Sequence, residues 1–309
     1  MSSSSLLTQM NKIGYLYVTL AAILFAVSGT AAKFLFNRGI TSYQMIQLRV
    51  TLAFCGLLLW LLLRNRSLLK IATKDLVYFT LLGILGIGAA QFLYLFAISK
   101  INVAAAILLH YTGPVFVAAY AAIFLHQKLT RNSILAIFGT LVGCFLVVGA
   151  YSLNLLSLNR IGIIGGILAA VAFAIYSLLS EYGMQKYSPW TVLLYGLLFA
   201  ALSWNILHPP LKAILHPYEL VEWFWILFIA TGGTILPFGL YFEGINRIRA
   251  THASITATLE PISAGVISAI FLGEVMAPPQ ILGGVLVIAS IILLQWKPNP
   301  KQRRRKISE

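Results

Sequence analysis

Long apolar runs separated by short polar segments follow one another along the whole chain. A helix needs about 20 apolar residues to cross the hydrocarbon core of a bilayer, because each residue advances it by ~1.5 Å. The runs reach this length and do not alternate apolar with polar positions, so they predict membrane helices rather than strands of a barrel. We predict an all-α membrane protein with ten transmembrane helices near residues 14–36, 43–63, 75–98, 102–126, 132–151, 161–181, 189–207, 220–245, 251–273 and 279–296.

The composition agrees with a chain surrounded by lipid. Of its 309 residues, 60% are hydrophobic and only 10% are charged. A soluble domain carries about 25% charged residues to cover its surface. Membrane lipid is therefore the first partner that the sequence predicts.

The two halves of the chain share a sequence pattern. The segment from Ile101 to Pro114 matches the segment from Ile248 to Pro261, and the two prolines are 147 positions apart. We therefore divide the chain into a first repeat at 14–151, a second at 161–296 and a basic tail at 297–309. Five helices in each repeat is an odd number, so the repeats should be inverted relative to each other, as in many secondary transporters.

The distribution of positive charge predicts the orientation. The formal net charge is +14, which by itself would be compatible with nucleic-acid binding. On the ten-helix topology, however, sixteen of the 22 Lys and Arg residues lie on the side of both termini, five lie on the other side, and Arg49 lies within a helix. The positive-inside rule then places both termini in the cytoplasm of a multi-pass protein of the cell membrane. The tail is best explained as a contact with anionic lipid, and no nucleic-acid partner is predicted.

At this point the residues resemble a known family. The repeated proline segments and the Phe271-Leu-Gly-Glu274 sequence are similar to those of EamA-type members of the drug/metabolite transporter superfamily. The resemblance implies a secondary carrier of small metabolites, often an amino-acid exporter, in which helices three, four, eight and nine surround a central cavity. The first repeat departs from the pattern, since His126-Gln127 stands where the second has Gly273-Glu274.

Glu260 is the strongest candidate for chemistry. It lies about eight residues into the ninth predicted helix, close to the bilayer midplane, and an acidic residue at that depth is costly unless it has a function. Pro261 follows it and should kink the helix, freeing the carbonyl of Ala257 beside the carboxyl group. We predict that Glu260 binds a cation or an ammonium group and exchanges protons.

Other polar residues are expected to share the same pathway. Pro114 should kink the fourth helix and free the carbonyl of His110, whose imidazole is a candidate for substrate or proton binding. Arg49 could pair with Glu260 or hold a substrate carboxylate through its forked donors. Histidine and arginine at such places can equally be structural, satisfied by bonds within the bundle. The remaining pathway candidates are Tyr111, Gln91, Tyr94 and Tyr241, and the gate or structural candidates are Glu243 and Glu274.

The sequence contains no recognisable catalytic or cofactor signature. It has no phosphate-binding loop, no zinc-protease motif and only two cysteines, Cys55 and Cys144, both in apolar runs. We predict no enzyme activity, no cofactor and no metal. Three alternatives to an amino-acid exporter remain: a carrier of sugars or nucleotide sugars, a non-transporting membrane subunit, and a membrane-embedded enzyme without a paired catalytic set. Substrate, direction, coupling ion and the formation of a homodimer stay open.

Overall fold

The computed structural model describes residues 3–101, 103–152, 159–207, 213–272 and 276–295, and side-chain statements below concern residues within these ranges. This part of the chain is helical and contains no strand, which confirms the all-α prediction. The first half comprises α1 (Ser3–Asn37), α2 (Ser42–Arg64), α3 (Leu76–Leu81, Leu82–Gly88 and Ala89–Lys100), α4 (Val103–His110 and Gly113–Ile123) and α5 (Arg131–Val147). The second comprises α6 (Arg160–Gly183), α7 (Pro189–Leu207), α8 (Leu220–Ala230, Thr231–Ile235 and Leu236–Ala257), α9 (Leu259–Leu272) and α10 (Pro278–Gln295).

Eight helical stretches in these ranges are long and apolar enough to cross a membrane. α5 is a shorter apolar helix, and the stretch Leu220–Ala257 is interrupted at Arg249, where the backbone leaves the helical region with φ 70°. Residues 250–257 therefore form a separate helical segment, which ends just before α9 begins at Leu259. Ten separate spans remain a prediction, because length and composition alone single out eight.

α3 and α8 each contain a π-helical segment, Leu82–Gly88 and Thr231–Ile235 respectively. Such segments are uncommon inside α-helices and are often found at functional sites. Both are rich in glycine, and they occupy corresponding positions, since Gly86 and Gly233 are 147 residues apart. The repeat in the sequence is therefore also a repeat in backbone geometry.

Two equivalent helix contacts recur in the two halves, at spacings of 148 and 147 positions. A Cβ atom at Gly14 of α1 would lie 2.7 Å from the Ile248 side chain, just before the interruption of α8 at Arg249. A Cβ atom at Gly162 of α6 would lie 2.6 Å from the Ile101 side chain just after α3. Because only a hydrogen fits at each place, α1 packs directly on α8 and α6 packs directly on α3. The two helix pairs are equivalent contacts of the two halves.

The main buried cluster joins both halves. Its largest fully buried side chains include Phe79 from α3 and Phe238, Tyr241 and Phe242 from α8.

Polar contacts between helices lie towards the helix ends. Tyr15 of α1 bonds to His252 at 2.6 Å, and Lys186, after α6, forms an ion pair with Asp75 before α3. The hydrogen bond to Asp75 raises the pKa of Lys186 above its usual value. The candidate site lies between these ends.

Candidate functional site

α4 and the segment leading into α9 are interrupted at equivalent places. α4 is broken at Tyr111 and Thr112, just before Gly113 and Pro114. The helix that contains Ala257 ends there, and α9 begins at Leu259, two residues before Pro261. The proline ring cannot supply an amide hydrogen and clashes with the preceding turn, which explains why both interruptions precede a proline. Both prolines are buried.

The two interruptions face each other through one polar contact. The Tyr111 hydroxyl lies close to the Glu260 carboxylate and interacts with it. Tyr111 belongs to the first half and Glu260 to the second, so this contact links the halves. The Glu260 side chain also interacts electrostatically with Tyr94 and Tyr176. Tyr111 is buried, whereas Glu260 and Tyr94 are half-buried and keep some accessible surface.

Arg49 of α2 reaches the same region but is held by three protein groups. Its Nε donates to the Thr234 hydroxyl at 2.7 Å and its Nη2 donates to the Gly233 carbonyl at 2.8 Å. Its Nη1 donates to Gln91 Oε1 at 3.0 Å. Arg49 interacts electrostatically with Glu260, but the ion pairs formed by the described residues do not include these two. The guanidinium therefore acts on Glu260 from a distance.

Aromatic rings form one wall of the site around His110. Its ring centroid lies 5.0 Å from that of Tyr94, 5.4 Å from Tyr111 and 5.3 Å from Phe173. The wall continues through Tyr176, whose ring centroid lies 5.1 Å from that of Phe173. Among the described residues, the buried His110 Nδ1 has no hydrogen-bond partner. An unpaired buried polar atom is costly, so this nitrogen is a place where a ligand or a water molecule can bind.

The structure brings most of the predicted pathway residues together. Glu260, Tyr111, Tyr94 and His110 form the centre, and Arg49 with Gln91 lies beside it. Tyr241 is buried and bonds to Ser177 at 3.0 Å, with its ring centroid 5.9 Å from that of Tyr176. It joins the cluster through α6 rather than through Glu260.

The two gate candidates fall elsewhere. Glu243 forms an ion pair with Arg247 one turn later on α8, as the i, i+4 spacing allows. Glu274 lies outside the described residues. Nothing in the structure connects Glu243 with the centre of the site.

Three residues of the site were missed by sequence reasoning. Phe173 and Tyr176 of α6 complete the aromatic wall, and Thr234 of α8 binds Arg49. The aromatic pair lies within a long apolar run, where an aromatic side chain is no signal of function. Thr234 follows Gly232 and Gly233 in a segment aligned with α3, and that alignment was the one available hint.

Helical repeats that meet at paired helix interruptions near the middle of a membrane protein are typical of secondary transporters. The chain belongs to the EamA-like transporter family, whose model matches residues 12–149 and again residues 160–296. This match confirms the family resemblance suggested by the proline segments. Because the model matches twice, it also confirms that the chain contains two related halves.

Individual proteins show the same relationship. The chain is 29% identical over 310 residues to an uncharacterized inner membrane transporter, YicL, of Salmonella typhimurium, covering 94% of this chain and 97% of that protein. It is 26% identical over 225 residues to the threonine/homoserine exporter RhtA of Salmonella typhimurium, covering 71% and 72%. A solved crystal structure has a TM-score of 0.74 with 18% identity over 93% of this chain and 95% of the other, which supports the fold alone.

Proposed function

We propose that this transporter exports small metabolites that carry an amino group, such as amino acids, in exchange for protons bound at Glu260. The observation that carries the proposal is the placement of Glu260 next to Tyr111 at the meeting point of the two interrupted helices. A carboxylate in this place can receive either an ammonium group or a proton. Exchange requires that the ammonium group and the proton bind to Glu260 alternately.

The surroundings of Glu260 suit an ammonium group. Tyr94, Tyr111 and Tyr176 interact with Glu260, and aromatic ring faces attract cations. Glu260 is the acidic member of the predicted pathway residues. The similarity to the threonine/homoserine exporter supports this substrate class.

The architecture suits alternating access. We take residues 14–151 and 161–296 as two inverted units of five helices, with both termini in the cytoplasm and the tail at 297–309 touching lipid. Rocking of the units about the region of Tyr111 and Glu260 would expose the site to each side in turn. Location in the cell membrane follows from the predicted topology.

Counterflow and proton-driven flux in proteoliposomes test this function. Purified protein is reconstituted, loaded with an unlabelled amino-acid mixture and supplied with each labelled amino acid in turn. We expect counterflow of at least one amino acid, and net flux when a pH gradient is imposed. Counterflow with sugars or nucleotide sugars only would support the sugar-carrier alternative, and no counterflow with any solute of a broad metabolite panel would support a non-transporting subunit.

A further inference from the structure

The two π-helical segments are held by different chemistry. Thr41 caps α2 by accepting from the Gln44 amide, and Ser188 caps α7 by accepting from the Thr191 amide. These caps are 147 residues apart, and the same spacing matches Arg49 of α2 with Gly196 of α7. Both matched residues contact the π-helical segment of the opposite half. Arg49 and Gly196 therefore occupy equivalent positions, and the difference between their side chains determines how each π-helical segment is held.

The segment in α3 is fixed by close packing. A Cβ atom at Gly83 would lie 2.6 Å from the Gly196 carbonyl oxygen, and one at Gly196 would lie 2.7 Å from the Ile87 side chain. Backbones this close leave little room for either helix to slide without losing many contacts. No charged group takes part in these contacts. This joint should stay the same whatever the charge state of the central site.

The segment in α8 is fixed by a charged side chain. Arg49 bonds to the Gly233 carbonyl and to the Thr234 hydroxyl, which itself donates to the Ile229 carbonyl five residues earlier at 2.8 Å. That bond spans the wide turn of the π-helical segment. Arg49 therefore stabilises the widened geometry directly. Its third bond, to Gln91 on α3, ties the same guanidinium to the first half.

We propose that Arg49 is a positioning residue, which holds the π-helical segment of α8 in place and ties it to α3. The inference rests on the proposed exchange function. Three of the five N–H donors of the guanidinium are bonded to protein groups on α3 and α8, so the structure assigns Arg49 to linking the halves.

Hydrogen exchange of the two π-helical segments provides the test. In purified protein, Arg49→Lys keeps the charge but loses the forked bonds. Thr234→Val keeps Arg49 but removes one of its acceptors, together with the bond from Thr234 to the Ile229 carbonyl. We expect amide exchange in residues 229–236 to become about 10- to 100-fold faster in both variants, since a hydrogen bond to a charged group is lost. Residues 82–88 serve as an internal control and should not change. Arg64→Lys, at the exposed end of α2, is the matched control variant.

Transport measurements separate a positioning role from direct substrate binding. Each variant is tested for amino-acid binding at equilibrium and for flux driven by a pH gradient. We expect binding to be retained and flux to fall about 10-fold or more in Arg49→Lys, because the segment that links the halves is no longer held in place. Weakened binding with unchanged exchange at 229–236 would overturn the proposal and make Arg49 a substrate ligand.

The hydrogen-exchange test of Arg49 does not depend on amino acids being the substrate. If wild-type protein binds no amino acid, the proposed function fails, and the exchange data still decide whether Arg49 holds the segment. If Arg49→Lys does not fold, Thr234→Val decides the same question with the native arginine in place. Equal exchange rates at 229–236 in Thr234→Val and wild type overturn the proposal.

Discussion

Tyr111 and Glu260 lie next to each other and join the two halves of the chain where their helices are interrupted. Equivalent positions of the repeat carry different chemistry at this point, since Gly113 corresponds to Glu260 and Tyr111 corresponds to Thr258. Two similar scaffolds thus create one asymmetric site. The proposed cycle depends on this asymmetry.

Replacing Glu260 tests the proton step. Glu260→Gln keeps the size and a hydrogen-bond acceptor for Tyr111 but cannot take up or release a proton. We expect flux driven by a pH gradient in proteoliposomes to be lost. Glu219→Gln is the control, because Glu219 is exposed in the segment before α8 and bonds to Arg38 there. Undiminished proton-driven flux in Glu260→Gln would rule out the coupling role.

The Tyr111 hydroxyl should matter for substrate affinity. Tyr111→Phe keeps the ring against His110 but removes the hydroxyl that lies close to Glu260. Loss of a polar partner of a charged group costs about 1.5–3 kcal/mol, so we expect the KM of counterflow to change by about 10-fold or more. Tyr182→Phe, on the exposed side of α6, should leave KM unchanged. Equal KM values in both variants and wild type would show that the hydroxyl has no part in binding.

A free substrate carboxylate should not be required. Because we assign Arg49 to holding α8, with three of its five N–H donors bonded to protein, amino-acid amides should compete with the labelled amino acid about as well as the parent compound does. N-acetylated amino acids lose the ammonium group and should compete poorly. Inhibition constants from counterflow provide the measurement, and the opposite order of inhibition would assign the carboxylate to Arg49.

The contacts at Gly14 and Gly162 are equivalent, so replacing either glycine with alanine should reduce stability by a similar amount. Gly14→Ala and Gly162→Ala each force a methyl group into a space less than 3 Å from the facing helix. Overpacking of this kind costs about 1–3 kcal/mol, and both variants should lower the unfolding temperature of purified protein by a similar amount. Gly29→Ala is the control, because a Cβ there meets nothing within 4 Å. A large effect in only one of the pair would contradict the equivalence.

The bond between Tyr15 and His252 links α1 to the helical segment before α9. Tyr15→Phe removes this 2.6 Å bond and leaves the ring in place. A net loss of about 1 kcal/mol is expected, measured as a lower unfolding temperature. Tyr17→Phe is a suitable control, since its ring keeps the contact with Arg247. Matching unfolding temperatures for Tyr15→Phe and Tyr17→Phe would argue against a stabilising role of the bond.

The helical class of this protein and its two related halves could be derived from the sequence alone. Lipid offers no hydrogen-bond partner for a backbone polar group, so long apolar runs must be helical. The repeat can be recognised in the sequence because equivalent positions of the two halves have similar environments. Glu260 and His110 were recognisable for a related reason, since polar groups are rare at that depth. The prolines likewise marked both interruptions, because the effect of proline on its own helix is local.

Only the tertiary structure decided which of these groups touch. The partners of Arg49 are 42, 184 and 185 residues away along the chain, and no local pattern encodes contacts at such distances. The sequence left Arg49 free to pair with Glu260 or to bind substrate, whereas packing of α2 against α3 and α8 gave its donors to Gln91, Gly233 and Thr234. Likewise Phe173 and Tyr176 became part of the site only because α6 packs beside α4 and α8. Composition and periodicity determine which segments become helices, but side-chain contacts between distant helices depend on how those helices pack together.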